Sequence, residues 1–105
     1  NSYINLVVCD ASFISLLKIL PPALKISLPN SILIALIKPQ FEVSKKYVSK
    51  GGVVLDSEIH NEVCKKITKW LDAEMNWSIL GLKESPIKGP AGNIEFLVAA
   101  TKKVT

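Results

Sequence analysis

The chain contains no arginine. All 13 of its basic residues are lysines, set against 9 acids for a net charge of +4. With many isoleucines, lysines and asparagines beside it, that absence fits an A·T-rich coding sequence before it fits any function. A pI near 9.1 is compatible with a nucleic-acid partner and does not demonstrate one. Histidine is nearly absent too: His60 stands alone, with two cysteines, Cys9 and Cys64, and no CxxC. Metal binding through ordinary zinc-ligand spacing is thereby excluded, and no metal site is expected. The two thiols, one in an expected strand and one on an expected helix, read as reduced and buried in a cytoplasmic protein. A serine triad would have to recruit His60 from the start of a helix, where it reads more simply as a surface residue. No GxGxxG or P-loop motif follows any strand, so the chain has no phosphate-cradling turn of its own. Long apolar runs are missing as well. Within 11–37, Lys18 and Lys25 interrupt and Pro21, Pro22 and Pro29 break the sequence. No stretch approaches the ~18 consecutive apolar residues of a membrane span. There is no signal-peptide pattern, and the first residue is Asn1 rather than methionine, as expected of a processed, trimmed or excerpted chain.

What is present suffices for one small domain: 105 residues, 49% apolar, enough for a core. Two β-branched runs organise it. Ile4–Cys9 is stopped by Asp10 and Ile32–Ile37 by Lys38, and both have the length of buried parallel strands. The first strand reads as Tyr3–Cys9. A helical pattern from Ile14 to Leu24 follows, kinked or divided at Pro21-Pro22, and a loop is expected over Ser27–Ser31. After the second strand, 38–55 carries no regular element and holds Lys45, Lys46, Tyr47 and Lys50. A loop this long is usually functional or mobile. Asp56 or Ser57 can cap the next helix, whose apolar face is Ile59, Val63, Ile67, Leu71 and Met75. A third strand over Trp77–Leu82, a loop over Lys83–Asn93 and a fourth strand over Ile94–Thr101 complete the chain.

The order is β-α-β-α-β-β, an α/β fold with three parallel strands and an antiparallel last one. In such sheets function gathers at the carboxyl ends of the strands. Asp10 and Lys38 lie at that edge. The antiparallel last strand begins there, so Glu95 joins them. A lysine between two carboxylates is a salt-bridge cluster or a proton-transfer site. As a base the lysine has to be neutral, and carboxylates favour its charged form, whereas a second cation favours the neutral one. The cluster is electrostatically incomplete without that cation.

Four blocks carry a further signal: Asp10-Ala11-Ser12-Phe13-Ile14-Ser15-Leu16, Lys38-Pro39-Gln40-Phe41-Glu42, Lys50-Gly51-Gly52-Val53-Val54, and the run from Ser85 to Leu97 containing Gly89-Pro90-Ala91-Gly92-Asn93-Ile94-Glu95. In this order and spacing they resemble the TlyA family over nearly the whole chain. These are ribosomal RNA 2′-O-methyltransferases, often labelled hemolysin A, with an FtsJ-like catalytic domain. The resemblance implies that residues 1–105 are the C-terminal half of a Rossmann-like S-adenosylmethionine methyltransferase sheet. The family's S4-type RNA-binding domain and the first half of its fold lie outside the chain. It implies that Asp10, Lys38 and Glu95 are the second, third and fourth members of a Lys-Asp-Lys-Glu tetrad, the first lysine and the main S-adenosylmethionine loop being upstream. Lys38 is then the candidate base for a ribose 2′-hydroxyl, with Asp10 and Glu95 positioning. Asp10, Ser12 and Phe13 would touch the cofactor, and Lys45, Lys46, Lys50, Lys88 and Asn93 the ribosomal RNA.

Two departures stand out. Leu55 replaces a residue commonly basic in the family, and Ser57 one that is often proline. The alternative readings are a non-catalytic relic that binds RNA or protein and, weakest, a membrane-active hemolysin. The isolated chain is expected to be inactive and to self-associate through the open edge of its first strand.

Overall fold

The computed structural model describes residues 4–105, so Asn1 and the Tyr3 expected in the first strand lie outside the described residues. Strand β1 (Ile4–Cys9) leads through two short helices, α1 (Leu16–Ile19) and α2 (Pro21–Ile26), to β2 (Ser27–Ile37). The long helix α3 (Ser57–Ala73), β3 (Trp77–Glu84) and β4 (Phe96–Lys102) follow. The two prolines do divide the first helical pattern. Leu20 ends α1 and Pro21 opens α2, because a proline N–H is not needed at a first helical position.

The sheet has the order β1-β2-β4-β3. β1 and β2 pair in parallel. β4 runs antiparallel to both β2 and β3, so the first three strands point the same way and the last opposes them, as the sequence implies. β4 inserts between β2 and β3 instead of adding at the outside.

The Ser27–Ser31 segment belongs to β2, not to a loop. Its pairing is nonetheless irregular. Ile4 faces Ser27 and Leu6 faces Ile32, so a step of two residues in β1 spans five in β2. Asn30 there adopts a positive φ of 67°. Pro29 is accommodated in this bulged stretch, where a ladder donor is not required.

All helices cover one face of the sheet. Val7, Leu33 and Ala100 stand in register across three strands, as do Ala35 and Val98 in the row toward the carboxyl edge. They pack with Trp77 against Leu16, Leu20 and Leu24 from α1 and α2 and against Val63, Cys64, Ile67 and Leu71 from α3. The opposite face is bare: Leu6 is 59% and Val8 68% exposed, and Ile34 is exposed beside them. The apolar stripe of α3 is rotated from the expected one. Its centre is His60, Val63, Cys64, Ile67 and Leu71, with Ile59 and Met75 at the margins.

Candidate active site

The carboxyl edge of the sheet gathers charged side chains from three distant segments. Asp10 follows β1 and Lys38 follows β2. Their side chains form an ion pair of 2.6 Å, with Lys38 almost buried (11% exposed) and Asp10 open to solvent (62%). The Lys38 ammonium also donates to Ser12 Oγ at 3.1 Å. Glu95, just before β4, is 5% exposed. Among the described residues it makes no ion pair with Lys38. It accepts from Gln40 Nε2 at 2.9 Å, two residues beyond Lys38. The three residues expected from the sequence thus share one edge, and Gln40, which sequence reasoning passed over, is the side chain that ties Glu95 to it.

Loop 38–55 is more regular than expected. Pro39–Phe41 and Lys45–Tyr47 form single 3-10 turns, and Ser49 bridges to Val53 around Gly51 and Gly52, both at positive φ. Glu42 fixes this loop to the one after β1. Its carboxylate accepts from Ser15 Oγ at 2.6 Å and from Leu16 N–H at 2.9 Å. A carboxylate at the start of α1 satisfies an otherwise free helix donor. The loop carrying Ser12 and Phe13 is thereby held against the Lys38 loop. Phe13 adopts φ 67°, is 89% exposed, and lies 5.0 Å, centroid to centroid, from Phe41.

Two expectations need correction. Asn93 is not free for RNA. It is buried; its Oδ1 accepts from Val54 N–H at 3.0 Å and its Nδ2 donates to Gly52 and Pro90 carbonyls, which engages the whole amide. His60 is not a surface residue. It is buried, its Nε2 donates to the Val54 carbonyl at 2.8 Å, and its ring meets Phe96 edge-on. The signal was available: His60 precedes Cys64 and Ile67 by four and seven positions, on the helix face that turns inward. Together His60, Val54 and Asn93 lock the glycine turn of loop 38–55 onto the 89–93 turn that precedes Glu95. Gly89 is part of that lock. A Cβ there would stand 2.6 Å from Glu95 Cδ and nearer still to Oε2. The lysines Lys45, Lys46, Lys50 and Lys88 are exposed on these loops, with Lys46 over the Tyr47 ring at 5.0 Å.

Neither cysteine is poised as a nucleophile. Burial, and then the charge of Asp10, push the Cys9 thiol up, against weaker opposing pulls from the Ala11 backbone and Lys38. Burial raises Cys64 to about 11. Among the described residues no cluster of ligating side chains could hold a metal ion, and no helix is long and apolar enough to cross a membrane.

Known proteins share this sequence and fold. The sequence model of the FtsJ-like methyltransferase family matches residues 1–102. The 16S/23S rRNA (cytidine-2′-O)-methyltransferase TlyA of Mycobacterium tuberculosis is 38% identical over 95 residues, 90% of this chain and 35% of that protein. Hemolysin A of Brachyspira hyodysenteriae is 40% identical over 97 residues, 89% of this chain and 38% of that protein. A crystal structure from Lactococcus lactis that carries a hemolysin label superposes with a TM-score of 0.89 at 42% identity, covering 96% of this chain and 48% of its own. The chain therefore spans little more than a third of the length of these curated relatives. On this match of sequence and fold, the chain belongs to the FtsJ-like methyltransferase family.

Proposed function

We propose that this chain is the C-terminal half of a ribosomal RNA ribose 2′-O-methyltransferase domain and carries three of its four catalytic side chains. The supporting observation is the nearly buried Lys38 ammonium between the Asp10 carboxylate and Ser12 Oγ, with Glu95 held at the same edge. The bare sheet face and the open edge of β1 fit a site completed by further chain, which in the family resemblance brings the first lysine and the main cofactor loop.

S-adenosylmethionine, when bound, supplies an electrophilic methyl group. Of this chain's residues, the open carboxylate of Asp10 and the exposed ring of Phe13 fit the polar and apolar parts of such a molecule, while Ser12 is engaged by Lys38. Lys38 takes the proton of the ribose 2′-hydroxyl as the oxygen gains its methyl group, and a second cation beside it favours the neutral amine that this requires. Asp10 orients Lys38. Glu95, fixed by Gln40, orients the hydroxyl. Little more is asked of the protein than alignment, since positioned reactants already remove much of the barrier. Lys45, Lys46, Lys50 and Lys88 provide exposed cations for phosphates. Asn93 shapes the loop instead of touching RNA.

Methyl transfer to rRNA by the full-length protein carrying this chain tests the reading. Lys38→Met should remove transfer while leaving the folded circular dichroism spectrum and S-adenosylmethionine binding intact. Unaltered transfer in that variant would show that Lys38 is not the base. The relic reading predicts no transfer by the wild type under any condition.

A further inference from the structure

Lys38 Nζ has two acceptors. Asp10 Oδ1 stands 2.6 Å from it and Ser12 Oγ 3.1 Å, and among the described residues nothing else receives a hydrogen from it. A carboxylate only accepts, and a serine hydroxyl facing an ammonium accepts as well. An ammonium carries three N–H groups, whereas the neutral amine that acts as a base carries two and a lone pair. Asp10 and Ser12 therefore match the hydrogens of the neutral amine, and the position left over about the nitrogen belongs to the lone pair. With Asp10 alone, the amine could turn about its Cε–Nζ bond and the lone pair would have no fixed direction. Ser12 is exposed, yet contacts between the two loops follow one another along its flank. Lys38 meets Ser12, Phe41 meets Phe13 at 5.0 Å between centroids, and Glu42 takes the Ser15 hydroxyl and the Leu16 N–H. Phe13, the next residue after Ser12, is held at φ 67°, a left-handed backbone that a bulky residue adopts only where its surroundings impose it.

We propose that Ser12 is a positioning residue which, together with Asp10, turns the lone pair of neutral Lys38 toward the ribose 2′-hydroxyl. This rests on the 2′-O-methyltransferase reading above and deepens it, giving Ser12 to the base instead of the cofactor. In the reaction the 2′-oxygen bonds to the methyl carbon while the carbon–sulfur bond breaks with its electron pair left on sulfur. The hydroxyl proton passes to Lys38 Nζ and becomes the third N–H of the ammonium, the one for which the described residues offer no acceptor. Asp10 and Ser12 keep their hydrogen bonds throughout, so Lys38 takes up the proton without turning. Alignment of this kind, set before the substrate arrives, is what an oriented site contributes to rate.

Steady-state methyl transfer to rRNA by the full-length protein carrying this chain, with S-adenosylmethionine binding measured separately, provides the test. Ser12→Ala should lower kcat by roughly 10- to 100-fold, the effect of a misaligned reacting group. The KM for RNA and the affinity for S-adenosylmethionine should stay within about 2-fold of the wild type, since the lost interaction acts only in the transition state. Ser12→Thr, which keeps the hydroxyl, should recover most of kcat. Unchanged kcat in Ser12→Ala would overturn the proposal. So would a rise in kcat, which would mean that the hydroxyl donates to the lone pair and masks it. A loss confined to S-adenosylmethionine affinity would put Ser12 against the cofactor, and equal losses in Ser12→Ala and Ser12→Thr would show that the hydroxyl is not what matters; either result overturns the proposal as well. Unaltered transfer in Lys38→Met, or none by the wild type, brings down the underlying reading itself, and this proposal with it.

Discussion

Replacing Gly89 by alanine isolates the placement of Glu95. The backbone at Gly89 has φ −78° and ψ −170°, which any residue adopts, so the substitution carries no conformational strain. Its effect is steric. The new Cβ would meet Glu95 Cδ at 2.6 Å and Oε1 at 3.2 Å, whereas carbon atoms in contact sit roughly 3.5 Å apart or more. The carboxylate has to withdraw by about 1 Å, and Glu95 is 5% exposed, so no solvent-filled space receives it. The 2.9 Å bond from Gln40 is lost or stretched. A hydrogen bond to a charged group contributes about 1.5–3 kcal/mol, and overpacking costs about 1–3 kcal/mol. Some overlap between these terms puts the loss of stability at about 2–4 kcal/mol, readable as a lowered urea midpoint. On the proposed reaction, a displacement of this size costs on the order of 10²-fold in kcat, with S-adenosylmethionine affinity unchanged. Glu95→Asp in the Gly89→Ala background shortens the side chain and should recover part of the stability without recovering kcat. If Gly89→Ala matches the wild type in both midpoint and turnover, Glu95 is not confined by the turn at Gly89.

Lys102 gives a second prediction. Its ammonium donates to the carbonyls of Ser27 (2.6 Å), Leu24 (3.1 Å) and Lys25 (3.2 Å) at the end of α2, where the helix passes straight into β2 with no glycine cap. Lys102→Met should lower stability by about 1–3 kcal/mol in urea denaturation; a loss below about 0.5 kcal/mol would show that water replaces the ammonium there. The isolated chain should also self-associate through β1, whose outer edge is unpaired among the described residues and whose Leu6 and Val8 are exposed. Light scattering should give at least a dimer mass, reduced toward the monomer by Val8→Lys, and a monomer mass for the wild type at high concentration would refute this.

Much of the architecture is legible in the sequence because its signals are local. The β-branched runs that end in Asp10 and Lys38 mark two strands, the Pro21-Pro22 pair marks the break between α1 and α2, and a short loop before Glu95 implies an antiparallel return. The convergence of Asp10, Lys38 and Glu95 on one edge follows from that topology. What escaped depends on partners far away in the chain. Pro29 argues for a loop until β1 is seen to pair across the bulge. His60 looks like a surface histidine until the Val54 carbonyl arrives beside it. Asn93 looks like a recognition residue on a polar turn, and Gly52, Val54 and Pro90 claim every polar atom it has. Gln40 carries no distinguishing pattern at all. Its importance comes from a carboxylate 55 positions away.

The insertion of β4 between β2 and β3 has a consequence for assembly in time. β4 leaves a ribosome after the other three strands and is the one that joins the sheet together, so β3 has no neighbour to pair with until β4 is free. Long-range pairing of this kind is slow, and an unfinished chain would show unpaired edges on both β2 and β3. Here, loss of a few residues from the end of β4 would detach β3 from the sheet and leave the segment that carries Glu95 without the strand that anchors it. The acid of the proposed site is therefore set in place last, and its presence there reports that the whole sheet has closed.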